Sequence, residues 1–167
     1  AKDWIRNQCN NSIVADALLA DETRPRTTLL GDSLLLALRG VNLDPQSRPE
    51  NMISIRLFIS SNMIISTSRR TLLSVTEIIE ELRKGTGVKS TSEFLVELTY
   101  RMIDRMDDVI DQLQDRTDYL EENIIDMKNQ EFRTEILNVR RETIVLKRYL
   151  APQKEALIKL SNEKISW

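Results

Sequence analysis

The sequence predicts an α+β domain, a small and mostly antiparallel sheet flanked by helices and followed by a long antiparallel helical hairpin. Three observations predict it. All four glycines (Gly31, Gly40, Gly85, Gly87) and three of the four prolines fall within the first 87 residues, so that half is punctuated by turns. Apolar runs of strand length lie between those turns. From residue 88 onward only Pro152 interrupts a stretch whose apolar residues recur three or four apart. The expected division is a sheet-containing part over 1–88 and a helical hairpin of the same domain over 89–167.

Ser12 to Ala20, rich in Ala and Leu, reads as a short helix with Ser12 as its N-cap, ended by Arg24-Pro25. Thr27 to Leu30 and Leu34 to Val41 flank Gly31-Asp32, a hairpin turn. Leu34-Leu35-Leu36-Ala37-Leu38 does not alternate, so it reads as a strand buried on both faces. Asp44 to Pro49 is a loop. Met52 to Ser60 sets Ile53, Ile55, Leu57 and Ile59 against Ser54, Arg56 and Phe58, the pattern of a half-buried strand. Ser60-Ser61-Asn62 turns it into a fourth strand, Met63 to Thr67. Leu72 to Lys84 reads as an amphipathic helix with Leu73, Val75, Ile78, Ile79 and Leu82 inward, closed by Gly85.

Two long helices follow. The first carries a seam of Leu95, Leu98, Met102, Met106, Val109, Leu113, Leu120, Ile124 and Met127. The second carries Phe132, Ile136, Val139, Leu146, Leu150, Leu157 and Leu160, with Thr143 and Gln153 on the same seam. A short loop near Lys128 to Gln130 joins them, and Pro152 is expected to kink the second without ending it. Asp104 to Asp126 holds nine acids and two bases, while Arg133 to Lys164 holds eight bases and four acids. An antiparallel pair is expected to set one charge against the other.

Composition excludes several functions. The chain has 167 residues, with 24 Lys and Arg against 26 Asp and Glu, no histidine and one cysteine. Lacking a basic excess, it is not expected to bind nucleic acid. Without histidine there is no Ser-His or Cys-His catalysis, and a lone Cys9 permits neither an intrachain disulfide nor a thiolate zinc knuckle. No phosphate loop or nucleophile elbow is present, and no enzyme activity is expected. Cys9 has no basic neighbour in sequence and reads as inert in a reducing, intracellular setting. The longest unbroken apolar run, Leu34 to Leu38, is far below the ~20 residues of a membrane span. The start without Met and the stop at Trp167 are those expected of a soluble piece of something larger.

The feature with most chemical content is a ladder of carboxylates, Asp104, Asp108, Asp111, Asp115 and Asp118. Steps of four and three put all five on one helix face. Such a stripe is either a solvated face or a surface that concentrates divalent cations weakly through oxygen ligands; Zn²⁺ or Mg²⁺ held loosely is the extent of any expected cofactor. Arg24, Arg26, Arg69 and Arg70 form two basic clusters at element ends, read as helix-end and loop charge or as an anion site. Trp4 and Trp167 are expected to cap a core edge, or to be exposed by truncation, rather than to stack on a ligand.

Val14-Ala15-Asp16-Ala17-Leu18-Leu19-Ala20-Asp21-Glu22-Thr23-Arg24-Pro25-Arg26 resembles the zinc-transporter (ZntB-like) branch of the CorA-type divalent metal cation transporters. So do Leu36-Ala37-Leu38-Arg39-Gly40-Val41-Asn42-Leu43, Ile53-Ser54-Ile55-Arg56-Leu57, Ile64-Ile65-Ser66-Thr67, Asp104-Arg105-Met106 and Arg148 to Leu157. The resemblance implies an α/β/α sandwich lying at the cytoplasmic face of the cell membrane. It further implies a homopentamer whose cytoplasmic funnel draws cations, with the stalk and membrane helices outside this chain. Partners implied are copies of itself and divalent cations, with membrane contact only through the missing C-terminal part. Gly40-Val41-Asn42 spells the tripeptide of the family's pore mouth, but it follows a buried strand and is not expected to serve as one. A magnesium or cobalt transporter of the same family, or a helical protein-interaction module, are the alternative readings.

Overall fold

A computed structural model describes residues 2–9, 11–21, 23–44, 46–48, 50–123 and 130–167. The chain runs α1 (Lys2–Gln8), α2 (Ser12–Leu19), β1 (Arg26–Leu30), β2 (Ser33–Gly40), β3 (Ile53–Ile59), β4 (Ile64–Ser68), α3 (Leu73–Arg83), α4 (Thr91–Glu122) and α5 (Gln130–Asn162). The four strands form an antiparallel meander in the order β1-β2-β3-β4. Gly31 begins the two-residue β1–β2 turn with φ +61°, the sign a II′ hairpin requires at its first central residue.

The sheet is covered on both faces. Leu34, Leu36, Leu38, Ile55, Leu57 and Ile59 pack against Ile78 of α3 and Leu98 and Met102 of α4. On the opposite face Leu35 and Ile65 pack against Ile5 of α1 and Val14, Ala15 and Leu18 of α2. The unbroken Leu34–Leu38 run is explained by this sandwich, because both sides of β2 meet apolar layers. Asn11, not Ser12, caps α2, its Oδ1 accepting from the Ile13 N–H at 2.9 Å. The short helix α1 was not expected; with Ile5 its one buried residue, it lacks a repeat that periodicity could reveal.

Three expectations about burial are corrected. Arg56 is buried rather than on an open strand face, because α2 and its approach cover that side of β3. Helix α3 is rolled: Ser74 and Ile78 are buried, while Leu73, Ile79 and Leu82 are exposed. The roll turns Glu77 and Glu81 toward Arg101 and Arg105 of α4, so ion pairing displaces part of the apolar stripe from the interface. On α5, Ile136 and Thr143 are exposed, and Ala156 is buried beside Gln153.

The helices α4 and α5 are antiparallel. Met106 meets Gln153, Arg116 meets Glu142 and then Glu135, and the Tyr119 and Phe132 rings stack 6.2 Å apart. Helix α5 continues through Pro152 and lies against β1, where the Thr27 hydroxyl donates to the Ala156 carbonyl at 2.6 Å. The chain then folds back on the first hairpin turn, with the Trp167 indole donating to the Asp32 carbonyl at 2.7 Å. Trp167 thus caps a core edge, whereas Trp4 is exposed. The seam positions Ile124 and Met127 and the connection at 124–129 lie outside the described residues, as do the loop prolines Pro45 and Pro49.

Candidate functional site

All five ladder carboxylates, Asp104, Asp108, Asp111, Asp115 and Asp118, are exposed on α4. They span about 21 Å at ~1.5 Å of rise per residue. None forms an ion pair or side-chain hydrogen bond with another described residue. Among the described residues no group of three or more acidic or thiol side chains is placed to hold a metal ion. Successive ladder carboxylates stand a helical turn apart. The chemistry open to this stripe is therefore electrostatic attraction, screened over about 8–10 Å at physiological salt.

The acidic and basic helices do not pair as charge counting suggested. Across the hairpin the base is on α4 and the acids are on α5: Arg116 donates to Glu142 at 2.6 Å and to Glu135 at 2.6 Å. Hydrogen bonding to Arg116 holds the Glu135 carboxyl below its ordinary range, and bonding to Glu142 raises Arg116. The ladder sits on another face, turned away from α5. A second network ties α4 to α3, with Arg101 gripping Glu77, Glu81 and Glu97 and Arg105 clasping Glu77 through both carboxylate oxygens.

A basic cavity of about 430 Å³ lies where β2, β3 and the segment after β4 meet α5. Arg69 and Arg70 line it, joined by Arg39 and Arg56; Arg24 and Arg26 are exposed elsewhere. Arg39 is pinned by donating to the Met52 and Thr23 carbonyls, with its guanidinium 4.4 Å from the Tyr149 ring centroid. Arg56, only 4% exposed, donates once, to the Asp21 carbonyl at 3.2 Å, and its Nε has no partner. Sequence reading missed Arg39 and Arg56. The available signal was an arginine at alternating positions of two strands that also read as core. Cys9 is buried, and desolvation raises its thiol pKa, as its inert reading requires.

A four-stranded antiparallel meander between a short helical pair and a long helical hairpin is the fold of the soluble domain of CorA-type proteins. The soluble domain of CorA from Methanocaldococcus jannaschii superposes with a TM-score of 0.73 at 14% identity, covering 98% of this chain and 66% of that one, which shows the fold alone. Full-length CmaX superposes at 0.89 with 36% identity over 100% of this chain and 52% of that chain. The ZntB cytoplasmic domain from Vibrio parahaemolyticus RIMD 2210633 superposes at 0.85 with 26% identity, covering 99% of this chain and 66% of that chain. A family profile described as "CorA-like Mg2+ transporter protein" matches residues 1–167, and the chain belongs to that family.

Among curated relatives, the "Zinc transport protein ZntB" of Pectobacterium carotovorum is 36% identical over 154 residues, 92% of this chain and 47% of its own length. The "Divalent cation transporter CmaX" of Pseudomonas aeruginosa is 38% identical over 170 residues, 100% of this chain and 51% of its own. The chain thus spans about half the length of the curated relatives it matches. Those relatives are transport proteins by name. Among the described residues, no helix is long and apolar enough to cross a membrane.

Proposed function

We propose that this chain is the cytoplasmic domain of a divalent-cation transporter with zinc as cargo, and that it has no enzymatic role. Whole-chain membership in the CorA-like family is the observation that carries the reading. In it, copies of the chain assemble as a homopentamer at the cytoplasmic face of the cell membrane and form part of a funnel. The ladder on α4 raises the local concentration of cations without gripping them; transport itself belongs to residues outside this chain. Two features support the reading. The ladder carboxylates are solvent-facing and have no partner among the described residues, and α4 exposes a separate apolar stripe of Val96, Tyr100, Ile103 and Ile110 suited to a contact between copies. With no histidine in the chain, any zinc contact here is oxygen-based and weak.

The similarity to CmaX, named only for divalent cations, supports a broader cargo that includes magnesium or cobalt. The deciding measurement has two parts. Coding sequence beyond Trp167 should carry two hydrophobic spans with a Gly-x-Asn tripeptide after the first; a soluble domain there would sink the transporter reading. Calorimetric titration of Zn²⁺ and Mg²⁺ should give weak heats that shrink in an Asp108→Asn/Asp111→Asn/Asp115→Asn variant. Identical isotherms would leave the ladder a solvated face.

A further inference from the structure

The basic cavity is independent of the cation reading and opposite to it in charge. Four guanidiniums line it, those of Arg39, Arg56, Arg69 and Arg70, against two carboxylates, Asp21 and Glu50. Asp21 is engaged by Arg69, and Glu50 lies 3.9 Å from Arg48, a fifth arginine. Three of the four lining arginines, Arg39, Arg56 and Arg70, therefore form no ion pair with a carboxylate among the described residues. The Arg70 side chain makes no ion pair or hydrogen bond with a described residue, although its carbonyl accepts from the Ser68 hydroxyl.

Arg56 is the most telling member. A nearly fully buried guanidinium ordinarily meets a carboxylate, since an unpaired buried charge is costly. Here its one hydrogen bond is to a backbone carbonyl, and its nearest charged neighbours include Arg69 and Arg39. Burial first, and then the charges of Arg69 and Arg39, lower its pKa from the usual arginine value, while the Asp21 carboxylate raises it. The alternative, a purely structural arginine, does not explain why two further arginines crowd it.

We propose that this cavity binds a phosphoryl oxyanion, as inorganic phosphate or as the phosphate of a small phosphomonoester, with Arg56 as its most buried donor. Arg39 is held in place for the task by two carbonyls and the Tyr149 ring, so little side-chain freedom remains to be lost on binding. Forked guanidinium donors match the several oxygens of a phosphoryl group better than they match a monatomic ion. The cavity, about 430 Å³, also exceeds what a single chloride fills.

The test is calorimetry on the 167-residue chain with sodium phosphate and, separately, glycerol 2-phosphate, at an ionic strength fixed by sodium chloride. Binding above the chloride background is expected. Heat with phosphate alone identifies the free anion as ligand, and heat with both identifies the phosphoryl group as the recognised part. Affinity should fall roughly tenfold or more in Arg56→Gln and several-fold in Arg69→Gln. Arg24→Gln, outside the cavity, should bind as the parent does. Arg69 is exposed, so its variant remains decisive if Arg56→Gln fails to fold, as circular dichroism would reveal. No heat above chloride, or unchanged affinity in both the Arg69→Gln and Arg70→Gln variants, overturns the proposal.

Discussion

Arg116 of α4 and Glu142 of α5 are joined at 2.6 Å, with Glu142 the more buried partner. Glu135, seven residues or about two helical turns away, completes the clasp from the same helix. These are the acids and the base that each helix has least of. Position in the seam, not net charge, selects the pair, because only residues flanking the apolar stripe can reach across it.

Removing that clasp should cost little but measurably. Arg116→Ala leaves two carboxylates facing each other, and a loss of about 1 kcal/mol is expected after allowing for solvent screening of a site that is more than a third exposed. Urea midpoints of the parent and the variant read it directly. Glu142→Gln/Arg116→Gln, which removes both charges, should recover part of the loss.

The same clasp makes stability depend on pH. Hydrogen bonding to Arg116 lowers the Glu135 pKa below 4.5. A depressed carboxyl contributes stability above its unfolded pKa and loses it as pH falls through the folded value. Thermal midpoints should therefore drop below about pH 4.5 more steeply in the parent than in Glu135→Gln. Parallel curves would show that this carboxyl is not linked to folding.

Gln153 follows the helix-interior proline and is buried. Its Oε1 accepts from the Arg39 backbone N–H at 2.7 Å, and its Nε2 lies 3.4 Å from the Met106 sulfur. One side chain thus ties α5 to β2 and α4. Gln153→Leu should cost about 1–3 kcal/mol, because the Arg39 N–H would lose its acceptor. Amide hydrogen exchange at Arg39 should accelerate accordingly, and an unchanged rate would refute the assignment.

Gly40 opens the tripeptide Gly40-Val41-Asn42 for a packing reason. A Cβ there would stand 2.6 Å from the Leu72 Cδ1, inside the main core. Gly40→Ala should destabilise by about 1–3 kcal/mol through overpacking. A Leu72→Val/Gly40→Ala double variant, with less bulk at that contact, should lose less than the two single changes summed.

How much was legible follows from where each signal resides. The two hairpins were readable from Gly31-Asp32 and Ser60-Ser61-Asn62, because turn chemistry is local. The seam of α4 was readable for the same reason: Leu98, Met102, Met106 and Val109 repeat within one helix. The ladder of Asp104 to Asp118 belongs to that class too. The roll of α3 did not, since whether Leu82 or Ser74 turns inward depends on Arg101 and Arg105, 19 to 31 residues away. The arginine cavity was least legible. Its donors sit on neighbouring strands and on the segment after β4, and only strand register brings Arg39 and Arg56 to one side of the sheet.

By itself the amino-acid sequence determined the elements other than α1, the two strand hairpins, the helical hairpin and the family, since periodicity, turn residues and motif runs are properties of adjacent residues. Tertiary structure decided which charges pair and which stay free. It buried Arg56, left Asp104, Asp108, Asp111, Asp115 and Asp118 in water, and gave Arg116 rather than the abundant acids of α4 the contact across the hairpin. The reason is that desolvation and hydrogen-bond geometry depend on every element packed around a group, and no local pattern encodes that surrounding.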